Sequence, residues 1–88
     1  MPWAVEFMPD AAKEMKRLDR TVAARIIETL EQRIAALPDP RSLGAPLKGD
    51  HDGYWHWRIG DYRVIARVDD ARITILIVRV AHRREVYR

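Results

Sequence analysis

The chain has 88 residues and no cysteine, so one domain is expected, 1–88, and disulfides cannot staple it. Hydrophobic residues make up 48%, ample for a packed core, which excludes a disordered chain. The net charge of +3 and pI near 9.7 exclude an acidic protein and mildly favour a nucleic-acid partner. The longest apolar run, residues 73–78, is too short to span a bilayer, and no basic segment followed by an apolar one marks a signal peptide. The expected compartment is therefore the cytoplasm, with no membrane partner.

Val5 and Phe7 alternate with Glu6, which predicts a short strand over 3–8. Pro9-Asp10 opens a helix whose apolar side is Ala11, Ala12, Met15 and Leu18. Asp19-Arg20-Thr21 interrupts it. A longer helix follows, with Val22, Ile26, Ile27, Leu30, Ile34 and Leu37 at helical spacing, and Pro38-Asp39-Pro40 ends it. Residues 38–53 form a long connection rich in Pro, Gly and Asp. Three strands are predicted after it, at 54–59, 62–68 and 72–80, with Asp69-Asp70-Ala71 turning between the last two; 81–88 is a basic tail. This order predicts an α+β fold: an N-terminal strand and a two-helix hairpin on one face of an antiparallel sheet of about four strands. In the last strand Ile73, Ile75 and Ile77 have one parity and Leu76, Val78 and Val80 the other. Two helices cover only one face, so apolar side chains are expected on the other, as a protein partner would require.

The most informative stretch is Tyr54-Trp55-His56-Trp57-Arg58-Ile59-Gly60-Asp61-Tyr62-Arg63. Gly60-Asp61 is a two-residue hairpin loop, and such a loop sets the register: Ile59 faces Tyr62, Arg58 faces Arg63 and His56 faces Ile65. Trp55, Trp57, Ile59, Tyr62, Val64, Ala66 and Val68 then share one face, expected to be core. Tyr54, His56, Arg58, Arg63, Ile65 and Arg67 share the other. Two arginines directly opposite each other repel, an arrangement that makes sense when an anion such as a phosphate sits between them. The C-terminal half is rich in arginine, the better fork for phosphate.

At these residues the chain resembles the RelE/ParE superfamily of small bacterial toxins from type II toxin–antitoxin pairs. Four stretches carry the resemblance, and together they span nearly the whole chain: "MKRL" ending the first helix, "PLKG" before the hairpin, "WRIGDYRVIARVDD" within it and "ITILIVRVAHRREVYR" at the end. The ending is closer to the RelE branch than to the ParE branch. The resemblance implies a metal-independent endoribonuclease, without cofactor, that enters the ribosomal A site and cuts mRNA. It also implies a cognate antitoxin that neutralises the toxin, and a toxin–antitoxin complex that represses its own operon at operator DNA.

The resemblance further implies residue roles. Arg63 matches the hairpin arginine and is assigned to the scissile phosphate; the competing expectation is a surface arginine paired with Asp61 or Asp69. Arg83 matches the arginine near the chain end, a second phosphate clamp or leaving-group stabiliser, with Arg84 as an alternative for that role. Tyr87 matches the tyrosine of the "EVY" ending, which stacks on a base or joins proton transfer; a free tyrosine titrates near ~10, so acting as a base needs help from arginines. Where the best-known RelE pattern has two alternating strand lysines, this chain has Tyr54 and His56. His56 has the ordinary pKa, ~6.5, of a base or acid at neutral pH, and is equally readable as an antitoxin contact. Arg58 restores positive charge beside Arg63. Lys48, Arg67, Arg84 and Tyr54 complete the expected RNA-binding set, with Lys48 as readily a solvated turn lysine.

His51-Asp52 and His82 have no metal-ligand spacing. Trp55 and Trp57 suggest base stacking, but their parity with Val64 and Val68 favours core packing. Two other functions compete with RNA cleavage: a ParE-like inhibitor of DNA gyrase, and an inactive toxin that persists as an antitoxin-binding co-repressor.

Overall fold

The computed structural model describes residues 2–49 and 53–86. Strand β1, Ala4–Phe7, turns Val5 and Phe7 inward and Ala4 and Glu6 outward, as its alternation predicts. Helix α1, Pro9–Lys16, begins on a proline whose fixed φ suits the first helical turn, and Asp10 sits where the helix dipole favours a negative charge. Helix α2, Arg20–Thr29, starts where Asp19 accepts a hydrogen bond from the Thr21 backbone at 3.1 Å. From Leu30 to Ile34 the helix widens into a π turn, so that the Ala35 amide reaches back to the Leu30 carbonyl at 2.7 Å. The Ala35 carbonyl accepts from the Trp3 amide at 2.8 Å, which fastens the helix end to the head of β1.

The connection after α2 is partly built. Pro40–Leu43 form a 3-10 turn, with Asp39 accepting from the Arg41 amide at 3.0 Å. Gly44 then lies flat on the Trp57 indole: an added Cβ would stand 2.9 Å from two of its ring atoms. The Trp57 Nε1 donates to the Pro40 carbonyl at 3.0 Å, so the loop both covers and satisfies this buried side chain. A two-residue strand, β2 (Ala45–Pro46), pairs with His56 and Trp55. Strands β3 (Tyr54–Ile59), β4 (Tyr62–Asp69) and β5 (Thr74–His82) follow, and a short helix, α3, spans Arg83–Val86.

The sheet has five strands in the order β1-β5-β4-β3-β2. Helices α1 and α2 lie on one face, so the α+β arrangement is as expected. Ala11, Ile26, Leu30 and Ile34 pack against Trp57, Val64, Ala66, Ile75 and Ile77 of the sheet. None of the helices is long and apolar enough to cross a membrane, among the described residues.

The structure corrects three expectations. The sheet is mixed rather than antiparallel, because β1 runs parallel to β5, with Ala4 opposite Thr74 and Phe7 opposite Ile77. No local turn joins these two strands, so nothing nearby in the sequence sets their relative direction. Secondly, the parity of the last strand switches. Ile65 pairs with Arg79 while Ala66 pairs with Ile77, so Val78 is the extra residue of a bulge. Val80 thereby joins Ile75 and Ile77 in the core, at 2% exposure, instead of lying with Leu76. Thirdly, the strand continues to His82 and the first part of the predicted tail is helical. Apolar Ile65, Leu76 and Val78 remain half-buried on the side away from the helices.

Past the end of β1 the edge of β5 is unpaired by backbone. Glu14 of α1 supplies the partner: it accepts from the Val80 amide at 2.8 Å and from Arg79 at 3.1 Å.

Candidate nucleic-acid interface

The β3–β4 hairpin has the expected register. Arg58 is opposite Arg63, His56 opposite Ile65 and Tyr54 opposite Arg67. Gly60 takes φ +60° at the first loop position while Asp61 does not, the pattern of a type II′ loop that matches strand twist. Trp57, Ile59, Val64 and Ala66 are buried on the helix side, with Trp55, Tyr62 and Val68 half-buried beside them. The two tryptophans are therefore structural; Arg41 covers Trp55, its guanidinium carbon 6.0 Å from the ring centre.

The opposite side carries the candidate site. Arg63 is not the surface arginine of the competing expectation: it is 7% exposed, and its Nη1 donates to His56 Nδ1 at 3.0 Å. The contact runs diagonally across the strands, reaching from Arg63 to the residue two positions before its partner Arg58. A guanidinium has donors only, so His56 Nδ1 must be the acceptor and the ring proton belongs on Nε2. Burial lowers the His56 pKa below the ordinary histidine value, and the charges of Arg63 and Arg58 lower it further. The imidazole is thus neutral near pH 7. Arg58, by contrast, is exposed. The pair is asymmetric: one guanidinium held in place, the other in solvent, where water screens their repulsion.

Further along the same side, the Arg67 guanidinium lies 5.8 Å from the Tyr54 ring centre, a cation–π contact. A shallow cavity of about 280 Å³ adjoins it, lined by Arg67, Val68, Asp69, Asp70 and Leu76. Lys48 is exposed, next to Leu47, whose amide donates to the Tyr54 carbonyl at 2.9 Å; it belongs to the Tyr54 end of the hairpin, away from the Arg58–Arg63 rung.

The chain end returns to the other end of the hairpin. Ala81 is opposite Arg63, and two residues later the Arg83 amide donates to the Asp61 carbonyl at 2.8 Å. This bond brings the start of α3 to the hairpin loop. Arg83 and Arg84 have exposed side chains, and the Arg84 amide donates to His82 Nδ1 at 3.3 Å. His82 itself meets Tyr62 edge-on, with ring centres 5.4 Å apart. Tyr87, and with it the proposed stacking or proton-transfer group, lies outside the described residues, as does His51-Asp52.

Sequence reasoning placed Arg63, His56, Arg58, Tyr54 and Arg67 on one surface but missed the Arg63–His56 bond, because parity reports a face and not a diagonal contact. It also missed Arg41, which donates to Asp70 at 2.6 Å and fastens the 38–44 loop to the β4–β5 turn. That pairing, like the contact of Arg79 with Glu14, joins residues far apart in sequence and leaves no local signal.

Comparison with known proteins bears on the family and the fold. A family model described as "ParE toxin of type II toxin-antitoxin system, parDE" matches residues 5–87. Toxin RelG of Mycobacterium tuberculosis is 32% identical over 88 residues, covering 100% of this chain and 99% of that protein. Toxin RelE of the same organism is 34% identical over 87 residues, covering 99% and 88%. Among solved structures, a RelBE toxin–antitoxin complex of M. tuberculosis superposes with a TM-score of 0.85 at 29% identity, covering 93% of this chain and 92% of that one. An archaeal RelE–RelB complex from Pyrococcus horikoshii gives 0.71 at 26% identity, covering 98% and 100%.

Proposed function

Since the chain belongs to the RelE/ParE family of toxins from type II toxin–antitoxin systems, we propose that it is a ribosome-dependent mRNA endoribonuclease. It works without a metal or other cofactor, acts in the cytoplasm and cuts in the A site. The observation that carries this reading is the buried Arg63 guanidinium, held by neutral His56 and faced by a second arginine on a rigid hairpin. A toxin that acted only by docking on another protein has no need to bury an arginine opposite an arginine; a reaction that builds negative charge on phosphorus does.

The chemistry is intramolecular transesterification. The 2′-hydroxyl oxygen attacks the adjacent phosphorus and loses its proton, the bond to the leaving 5′-oxygen breaks, and that oxygen gains a proton. The products are a 2′,3′-cyclic phosphate and a 5′-hydroxyl. Arg63 holds the scissile phosphate and stabilises the phosphorane charge, and Arg58 adds a second positive group from solvent. Arg83, at the hairpin loop, serves the leaving group or a neighbouring phosphate. Tyr87 is the candidate to take the 2′-hydroxyl proton, and His56, whose Nδ1 accepts from Arg63, lies beside the phosphate site. Tyr54 with Arg67 forms a stacking platform for a base two strand positions beyond His56, and Lys48 and Arg84 extend the phosphate contacts.

The partner in the resting state is a cognate antitoxin. Half-buried Ile65, Leu76 and Val78 beside the arginines supply an apolar surface for it, and similar chains occur in toxin–antitoxin complexes. Binding to operator DNA as that complex follows the same family reading.

Growth after induced expression tests the assignment. Wild-type protein is expected to arrest growth with loss of protein synthesis, and Arg63→Ala to relieve the arrest at equal soluble yield. Arrest that persists in Arg63→Ala, with loss of negative supercoiling in plasmid DNA, would instead assign the protein to gyrase.

A further inference from the structure

We infer that His56 is a positioning residue for Arg63 rather than the base of the reaction: its Nδ1 accepts from the guanidinium and fixes the direction of the phosphate-binding fork. The inference rests on the proposed cleavage reaction for its functional consequence, but its structural content stands on the geometry alone.

The Nη1–Nδ1 separation is 3.0 Å, and Arg63 can only donate. A base needs a free lone pair, and the only lone pair of a neutral imidazole here is engaged by Arg63. Its Nε2 carries the proton and offers a donor, not an acceptor. Nearby charge points the same way. On this face β4 contributes Arg63, Arg67 and, at the far end, Asp69; β3 contributes Arg58 and the Tyr54 phenol; β5 places Arg79, already paired with Glu14, opposite Ile65; β2 places uncharged Ala45 opposite His56. Burial keeps the ring neutral, and the cations, which outnumber the carboxylates among the described residues of this face, add to its effect. An imidazole that took the 2′-hydroxyl proton would become a third cation beside Arg58 and Arg63 and would at the same time cease to accept from Arg63.

This predicts a specific pattern of rescue. Asn at position 56 presents its Oδ1 near the place of Nδ1 and accepts from Arg63, yet cannot act as a base at neutral pH. His56→Ala should lower the cleavage rate by about 10²-fold, the typical penalty for a misplaced catalytic group. His56→Asn should recover to within about tenfold of wild type; wild type should lose rate on acidification, as protonation removes the Nδ1 acceptor, and His56→Asn should not. A true general base contributes about 10²–10⁴-fold and is not replaced by an amide. His56→Asn as slow as His56→Ala, with both variants folded, would overturn the inference.

A second measurement does not depend on cleavage. Nitrogen NMR shifts of the His56 ring in the free protein should report the Nε2–H tautomer at pH 7, and Arg63→Ala should raise its titration midpoint. An imidazolium or an Nδ1–H tautomer at pH 7 would overturn the inference even if the wild type cuts no RNA. Absence of cleavage by wild type with the expected tautomer would defeat the proposed reaction and leave the His56–Arg63 assignment standing.

Discussion

At the residue scale, two side chains sit in places that cost free energy, and for different reasons. Arg63 is a buried cation facing another arginine, with His56 Nδ1 as one of its acceptors; in the proposed reaction it holds the scissile phosphate. Ile73 is exposed at 45% and takes φ +50°, a left-handed conformation that is an outlier for a β-branched residue. It ends the β4–β5 turn, where its amide donates to the Asp70 carbonyl at 3.3 Å and its carbonyl accepts from Ala4 at 2.9 Å. Such strain costs about 1–3 kcal/mol, against about 0.5–1 kcal/mol for the extra freedom of glycine in the unfolded chain. Ile73→Gly and Ile73→Ala lose the same partly exposed side chain, but only Gly relieves the strain, so Ile73→Gly should be the more stable of the two by about 1 kcal/mol, a melting temperature several degrees higher. An Ile73→Ala variant as stable as Ile73→Gly would contradict the strain assignment.

His56 also ties stability to pH. Its folded pKa lies below the unfolded value of ~6.5, so the unfolded chain binds the proton more readily. Stability should be undiminished above pH ~6.5 and should fall as pH drops from there through the folded pKa. His56→Asn should remove that part of the slope in denaturant titrations at stepped pH; an identical slope in wild type and variant would count against it.

At the element scale, the hairpin is where local chemistry and structure agree most closely. Gly60-Asp61 set the β3–β4 register, and with it the Arg58–Arg63 rung and the division between core and candidate site. Gly60→Ala should cost about 1–2 kcal/mol through its positive φ alone, because the added methyl would be 3.6 Å from Arg25 Nη1, an ordinary contact. Gly60→Asn should cost less, since Asn tolerates the left-handed region, and equal losses would point to crowding instead. Gly44 is the opposite case. Its φ is unremarkable, but a Cβ would collide with Trp57, whose indole is 1% exposed and held by the Pro40 carbonyl. Gly44→Ala should lower the denaturant midpoint by an amount equal to about 1–3 kcal/mol, with little change in slope.

The features that escaped sequence reading share a physical cause. The parallel pairing of β1 with β5, the Glu14 carboxylate on the β5 edge and the Arg41–Asp70 bridge all depend on contacts between distant segments. The bulge at Val78 is local, yet alternation predicts only regular strands, so it groups Val80 with Leu76 and Val78 and not with Ile75 and Ile77. The candidate site fared better because one two-residue loop orders most of it. The Arg63–His56 bond was out of reach, since strand parity shows which residues share a face but not which rotamers meet.

At the scale of the whole molecule, the chain is a helix pair supporting a sheet whose outer side is basic and partly apolar. The helices bury the wall behind Trp57 and Val64, and α3 brings the basic chain end back to the hairpin loop through the Arg83–Asp61 bond. One surface thus serves two successive partners in the proposed account: an antitoxin that covers it, and mRNA on the ribosome once the antitoxin is gone. The apolar residues belong to the first and the arginines to both.

The most direct test of this account is primer extension on a defined messenger in a reconstituted translation reaction. The account predicts a new 5′ end within the A-site codon when the wild-type protein is added, absent with Arg63→Ala and absent on the same RNA without ribosomes. An intact messenger in the presence of folded wild-type protein, or equal cutting by Arg63→Ala, would contradict it.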